Sequence, residues 1–176
     1  MIRRVALFML SLIFIAVAFA SCLDKQGALT PEEFLQKKLD AVDKTKLAQD
    51  IAVIEDSLEL WNIEYFTEPK GVRYSIELLG SGPKPTLSSF IKIKYQARLF
   101  KDSTLYEQGD NFPTYLYDMI VGMQTTLPLL PEGTKATLFI PSGLAYGPYE
   151  VSDGNGVIKV PQNSNLIFTI ELQDVQ

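Results

Sequence analysis

Residues 133–147 read GTKATLFIPSGLAYG, and residues 160–172 answer them with VPQNSNLIFTIEL. In the first stretch Gly133 opens a turn. Ala136, Leu138 and Ile140 then recur at every second residue, which is one face of a strand, and Pro141 breaks it. The loop that follows holds Tyr146 between Ala145 and Gly147. The second stretch reads as a strand entered through Pro161, with Leu166, Phe168, Ile170 and Leu172 on one face. Tyr146 is therefore expected on a loop at the end of a strand, where an aromatic ring with a hydroxyl can line a pocket.

The same period of two extends upstream. Val72, Tyr74, Ile76 and Leu78 alternate with Arg73, Ser75 and Glu77, and Ile91, Ile93, Tyr95, Ala97 and Leu99 alternate with Lys92, Lys94, Gln96 and Arg98. Strands with one apolar face predict an antiparallel sheet covered on one side. Residues 118–127 (DMIVGMQTTL) give the one credible helix of the second half, ended by Pro128 and Pro131. The expected fold class is α+β, an antiparallel sheet wrapped around one short helix and preceded by an N-terminal helical segment.

That segment is predicted over residues 30–66. Thr30-Pro31-Glu32-Glu33 has an N-cap, a first-turn proline and a capping-box glutamate. Leu35, Leu39 and Val42, then Leu47, Ile51, Ile54, Leu58 and Trp61, recur at spacings of three and four. The register slips near residues 44–46, so this is one helix with a stutter or two helices. The simpler reading packs the apolar face against the following domain. The other is a dimerising coiled coil, giving a homodimer through residues 30–66. Glu68-Pro69-Lys70-Gly71 is a break, and the second domain is expected over residues 71–176.

Residues 1–21 read as an export signal: Arg3 and Arg4, then an almost wholly apolar run over residues 5–19. The run is shorter than the roughly 20 apolar residues of a permanent span. It ends at Ala20-Ser21-Cys22, which resembles the cleavage site of bacterial lipoproteins, with Phe19 in place of the usual leucine. The resemblance implies cleavage before Cys22, lipid on that cysteine, a tether over residues 22–29, and anchoring to a membrane of the bacterial cell envelope, on its periplasmic side or at the outer-membrane surface.

Composition excludes much chemistry. The 176 residues contain no histidine and one cysteine. Histidine proton transfer, Ser-His-Asp or Cys-His catalysis, and Cys/His zinc sites are therefore absent. No glycine run matches a phosphate-binding loop, and neither a metal nor a cofactor is implied. The net charge of −5 falls to −7 once residues 1–21 are removed, because that segment holds two arginines and no acid. Such a surface argues against nucleic acid as a partner.

The ordered series KYQARLF, STLYEQ, MIVGM, GTKATLFIPSGLAYG and VPQNSNLIFTIEL resembles the FK506-binding-protein (FKBP) type of peptidyl-prolyl cis-trans isomerase over residues 71–174. The lipoprotein signal and helical segment are similar to those of membrane-anchored members from Bacteroidetes-like bacteria. The resemblance implies an apolar pocket between the sheet's concave face and the short helix, acting on proline-containing polypeptides. It implies catalytic positions at Tyr95, Tyr106, Glu107, Ile120, Tyr146 and Phe168, with Met119, Met123 and Val160 binding substrate. Another aromatic wall falls between residues 111 and 117, with Phe112 and Tyr115 as candidates. Donors to the substrate carbonyls would be the Ile120 backbone N–H and the Tyr146 hydroxyl.

The implied chemistry suits the exclusions. Amide resonance sets the barrier to rotation at ~18–20 kcal/mol, and lowering it needs no proton, metal or covalent intermediate. Withdrawing the imide from water favours the twisted state, which has lost resonance. The chain departs from the family at Glu107 (aspartate), Tyr106 (phenylalanine), Met123 (tryptophan) and Gln162 (proline). Its loop over residues 147–159 is long and polar. These departures motivate the alternative of an FKBP-like binding or chaperone module with weak or no isomerase activity.

Overall fold

The computed structural model describes residues 28–176; the signal segment of residues 1–21, Cys22 and most of the tether of residues 22–29 lie outside the described residues. Helix α1 (Pro31–Asp40) starts as the sequence dictates. The Thr30 hydroxyl accepts the Glu33 N–H at 3.2 Å, and the Glu33 carboxylate accepts the Thr30 N–H at 2.8 Å. Asp43 then restarts the chain as α2 (Lys44–Leu60), its carboxylate accepting the N–H groups of Thr45 and Lys46. The slip in register is thus a break between two helices, made by an N-cap.

The apolar stripe of these helices is covered within the chain. Leu39 is buried, and Leu35, Val42 and Leu47 pack beside it on the main core. Ile54 and Leu58 are fully buried with Phe100 and Phe139 in a second cluster. Trp61, the last residue of the expected stripe, is 46% exposed and lies against Phe100 with ring centroids 5.4 Å apart. The helices pack on the following domain, as in the simpler of the two readings.

Six strands form one antiparallel sheet in the order β1-β2-β5-β8-β3-β4. They are β1 (Phe66–Thr67), β2 (Arg73–Leu78), β3 (Phe90–Leu99), β4 (Leu105–Tyr115), β5 (Lys135–Ile140) and β8 (Leu166–Val175). On one face Ile91, Ile93, Tyr95 and Ala97 of β3 meet Ala136, Leu138 and Ile140 of β5 and Leu166, Phe168, Ile170 and Leu172 of β8. Phe139 and Ile167, paired in register, point to the other face, where α2 covers them.

Helix α3 (Val121–Thr126) lies on the first face between two 3₁₀ turns, Leu116–Asp118 and Leu127–Leu129. It begins later than residue 118 because Ile120 has extended backbone and acts as the N-cap. Gly122 permits its close approach to the sheet, since a Cβ there would sit 2.5 Å from Cγ2 of the buried Ile140.

One strand has no counterpart in the sequence pattern, and one expected strand is corrected. Strand β4 has no apolar alternation; it is an edge strand, largely exposed, and carries Gly109 and Pro113. Residues 160–172 are not one strand entered through Pro161. Val160 closes β7 (Ile158–Val160), which pairs with β6 (Val151–Ser152) in a separate hairpin. Pro161 has no N–H to continue a ladder and Asn163 turns the chain at φ 56°, so β8 starts only at Leu166.

Candidate active site

Tyr95 lies on the concave face, its ring crossing to the edge strand over Gly109, where a Cβ would come within 2.9 Å of Cε1. From there the Tyr95 hydroxyl donates to the Glu107 carboxylate at 2.9 Å. The longer acid in the place of the family's aspartate therefore still finds a partner. Phe168 lies beside Tyr95 with centroids 6.2 Å apart, and Tyr106 meets Phe168 edge-on at 6.4 Å. Phe112 packs edge-on against Tyr95 at 5.7 Å.

Tyr146 completes this wall from the other side. Tyr106 and Tyr146 lie close enough to influence each other's ionisation, and among the described residues the buried Tyr106 hydroxyl has no hydrogen-bond partner. Burial raises both phenols, and the nearby Glu107 carboxylate adds to the shift. Burial and the bond to Glu107 push Tyr95 up to about 12. All three hydroxyls thus stay protonated at neutral pH and remain donors.

The loop that carries Tyr146 is held from both ends. The Ser142 carbonyl accepts the N–H of Ala145 at 3.0 Å and of Gly147 at 2.8 Å. Gly147 sits at φ +60°, a conformation that costs glycine least, and its carbonyl accepts the Asn163 N–H at 2.7 Å. Ser142 itself is 1% exposed. Its N–H donates to Asn165 Oδ1 at 2.9 Å and Asp50 Oδ2 at 3.2 Å, and its hydroxyl donates to the same Asp50 oxygen. Asp50 comes from α2, is 3% exposed, and also accepts from Lys46.

Met123 is fully buried, as is Val160 from β7, in the same core cluster as Tyr95 and Phe168, and Met119 and Ile120 are half-buried against it. Among the described residues no hydrogen bond takes the Ile120 N–H, so this donor is open. The structure gathers Tyr95, Tyr106, Glu107, Phe112, Tyr146 and Phe168 around one cluster. It puts Tyr115 elsewhere, stacked on Tyr117 at 5.1 Å and edge-on to Phe90 at 5.1 Å.

Beside Ile120 and Tyr146 opens a groove of about 590 Å³, bounded on its far side by the corner between α1 and α2. Neither this corner nor Asp50 was foreseen as part of the site. The sequence does carry a sign of Asp50: it stands on the apolar face, three residues after Leu47 and four before Ile54. An acid there implies a buried partner.

A sheet wrapped on one short helix, with an aromatic cluster at their junction, defines an FKBP-like domain. The model of the FKBP-type peptidyl-prolyl cis-trans isomerase family matches residues 82–173, and the chain belongs to that family. It is similar to the FKBP-type peptidyl-prolyl cis-trans isomerase FkpA of Aeromonas hydrophila, at 28% identity over 88% of this chain and 61% of that protein. The outer membrane protein MIP of Legionella longbeachae is 32% identical over 61% of this chain and 46% of its own length. The crystal structure of a peptidyl-prolyl cis-trans isomerase from Pseudomonas syringae pv. tomato superposes with a TM-score of 0.60 at 26% identity, over 85% of this chain and 99% of that one. The chain spans about half to three-fifths of the length of the two relatives compared by sequence.

Proposed function

We propose that this protein is a peptidyl-prolyl cis-trans isomerase of the bacterial cell envelope, tethered to a membrane by lipid on Cys22, that assists folding of exported proteins. The observation that carries this reading is the convergence of Tyr106, Tyr146 and Phe168 beside the open N–H of Ile120. The aromatic and aliphatic walls remove water from an X-Pro imide, which favours the twisted state over the planar one. The Ile120 N–H and the protonated Tyr146 hydroxyl hold the carbonyls on either side. Tyr95 acts through Glu107, each fixing the other's position at 2.9 Å. Met123, fully buried, forms an apolar floor in place of a rigid ring.

The envelope location draws support from the arginine-led apolar start and the Ala20-Ser21-Cys22 site, and from the similarity to a protein named for the outer membrane. Incorporation of labelled palmitate, lost in Cys22→Ser, tests the anchor. The domain limits 30–66 and 71–176 are likewise proposed from sequence; β1 (Phe66–Thr67), which pairs with β2, falls across the end of the first span. The dimer reading draws no support from the stripe, since Leu39, Ile54 and Leu58 are covered by the chain's own core.

A second reading has its own observation. The unpartnered Tyr106 hydroxyl brings a polar atom into the pocket wall, which suits a domain that binds polypeptide without turning it over. A protease-coupled assay on an X-Pro tetrapeptide separates the two. Catalysed isomerisation is expected; a rate equal to background, with suppression of aggregation retained, would leave the binding module.

A further inference from the structure

We propose that the groove between the α1–α2 corner and the Tyr146 loop is a second binding site, and that it takes an apolar stretch of the same polypeptide next to its proline. The inference deepens the prolyl-site reading and rests on it for the position of the proline.

Ile120 and Tyr146, the two residues proposed to hold the substrate carbonyls, also line the groove, so the two sites share a wall and a chain held by these donors lies at the groove's edge. The opposite wall is Ala41 and Val42 at the end of α1, and Tyr149 stands at the rim. Tyr149 is 74% exposed, a large ring left in water on the long loop. At about 590 Å³ the groove has room for several side chains, and an extended chain advances about 3.3 Å per residue.

Two lysines, Lys38 and Lys46, and two aspartates, Asp43 and Asp118, reach the groove. They balance, and most have other engagements. Lys46 is paired with Asp50, Asp43 caps α2, and Lys38 lies over the Phe34 ring. The lining therefore offers no net charge to an acidic or a basic segment, while its walls of Val42, Ile120 and Ala145 reward apolar side chains.

Val42 reaches to within 3.0 Å of where a Cβ on Gly143 would stand, so the helical corner is packed directly on the loop that carries Tyr146. The N-terminal helices thereby form a wall of the substrate path.

The test compares two peptides that share one X-Pro core, using the full chain. One is a tetrapeptide. The other extends it on both sides with leucine and phenylalanine; serine-extended and glutamate-extended versions serve as controls. Affinity is read by isothermal titration, and turnover by exchange spectroscopy. Withdrawing one apolar side chain from water is worth roughly tenfold in affinity. The wild-type protein is expected to bind the apolar-extended peptide about tenfold more tightly than the tetrapeptide. Val42→Ser and the exposed Tyr149→Ser should each bring that ratio close to one. A wild-type ratio near one, a ratio unchanged in both variants, or equal gains from the serine or glutamate extensions would overturn the inference. Absence of turnover with the affinity ratio intact would overturn the prolyl reading instead and keep the groove.

Discussion

Replacing Asp50 by alanine tests whether the helical segment holds the Tyr146 loop in place. Asp50 is 3% exposed and accepts the N–H and hydroxyl of Ser142 across the junction between α2 and the loop. The groups left behind by the substitution fare differently. The Ser142 N–H keeps Asn165 Oδ1 at 2.9 Å, and Lys46, whose side chain is 36% exposed, turns to water. The Ser142 hydroxyl, in a residue 1% exposed, loses its acceptor. Orphaning one buried donor costs about 1–3 kcal/mol, and an ion pair with one partner near water adds little. The expected loss is about 2–3 kcal/mol, or a fall in Tm of roughly 5–10 °C for a chain of this size. Urea denaturation of wild type, Asp50→Ala, Ser142→Ala and the double variant measures it. Because both single variants remove the same side-chain bond, from the Ser142 hydroxyl to Asp50, the double variant should lose less than the sum of the singles by about 1 kcal/mol. A single-variant loss below about 0.5 kcal/mol, or strict additivity, would refute the argument.

Two further predictions follow from packing and ionisation. Gly122→Ala places a methyl 2.5 Å from Ile140 Cγ2. It should cost about 1–3 kcal/mol and lower activity by moving Ile120, with Ile140→Ala relieving part of the loss in a double-variant cycle. The Tyr95 phenol is raised from its ordinary 10.0 to about 12, so the unfolded chain releases this proton first. Stability from this group is thus complete below pH 10 and is lost as pH rises from 10 towards 12. Tyrosinate absorbance with parallel denaturation should show that loss, and Tyr95→Phe should remove its contribution.

The Tyr146 loop, β3 and the start of α1 were legible because their signals are local. Turn residues, a period of two and a capping box each lie within a dozen residues. Strand β4 was not, because an edge strand exposes both faces and its apolar pattern vanishes; its positions Tyr106, Glu107, Phe112 and Tyr115 were tied to the site only through the family resemblance. The choice between Phe112 and Tyr115 depended on a register that a bulge between Ile93 and Tyr95 alters, beyond the reach of spacing. Val160 was placed on the wrong strand since the sequence does not say whether a proline opens one strand or closes another. The role of Asp50 was hidden for a different reason. Its partner Ser142 lies 92 residues away, and nothing in the local pattern names it.

The central claim is tested most directly by catalysed cis-trans exchange of an X-Pro tetrapeptide, measured on wild type, Tyr146→Phe and Ile120→Asp, each confirmed folded by circular dichroism. The account predicts exchange well above background for wild type, a modest loss for Tyr146→Phe, where one donor goes and the ring remains, and background exchange for Ile120→Asp, where a carboxylate wets the pocket. Equal exchange by all three proteins, or background exchange by folded wild type, would contradict it.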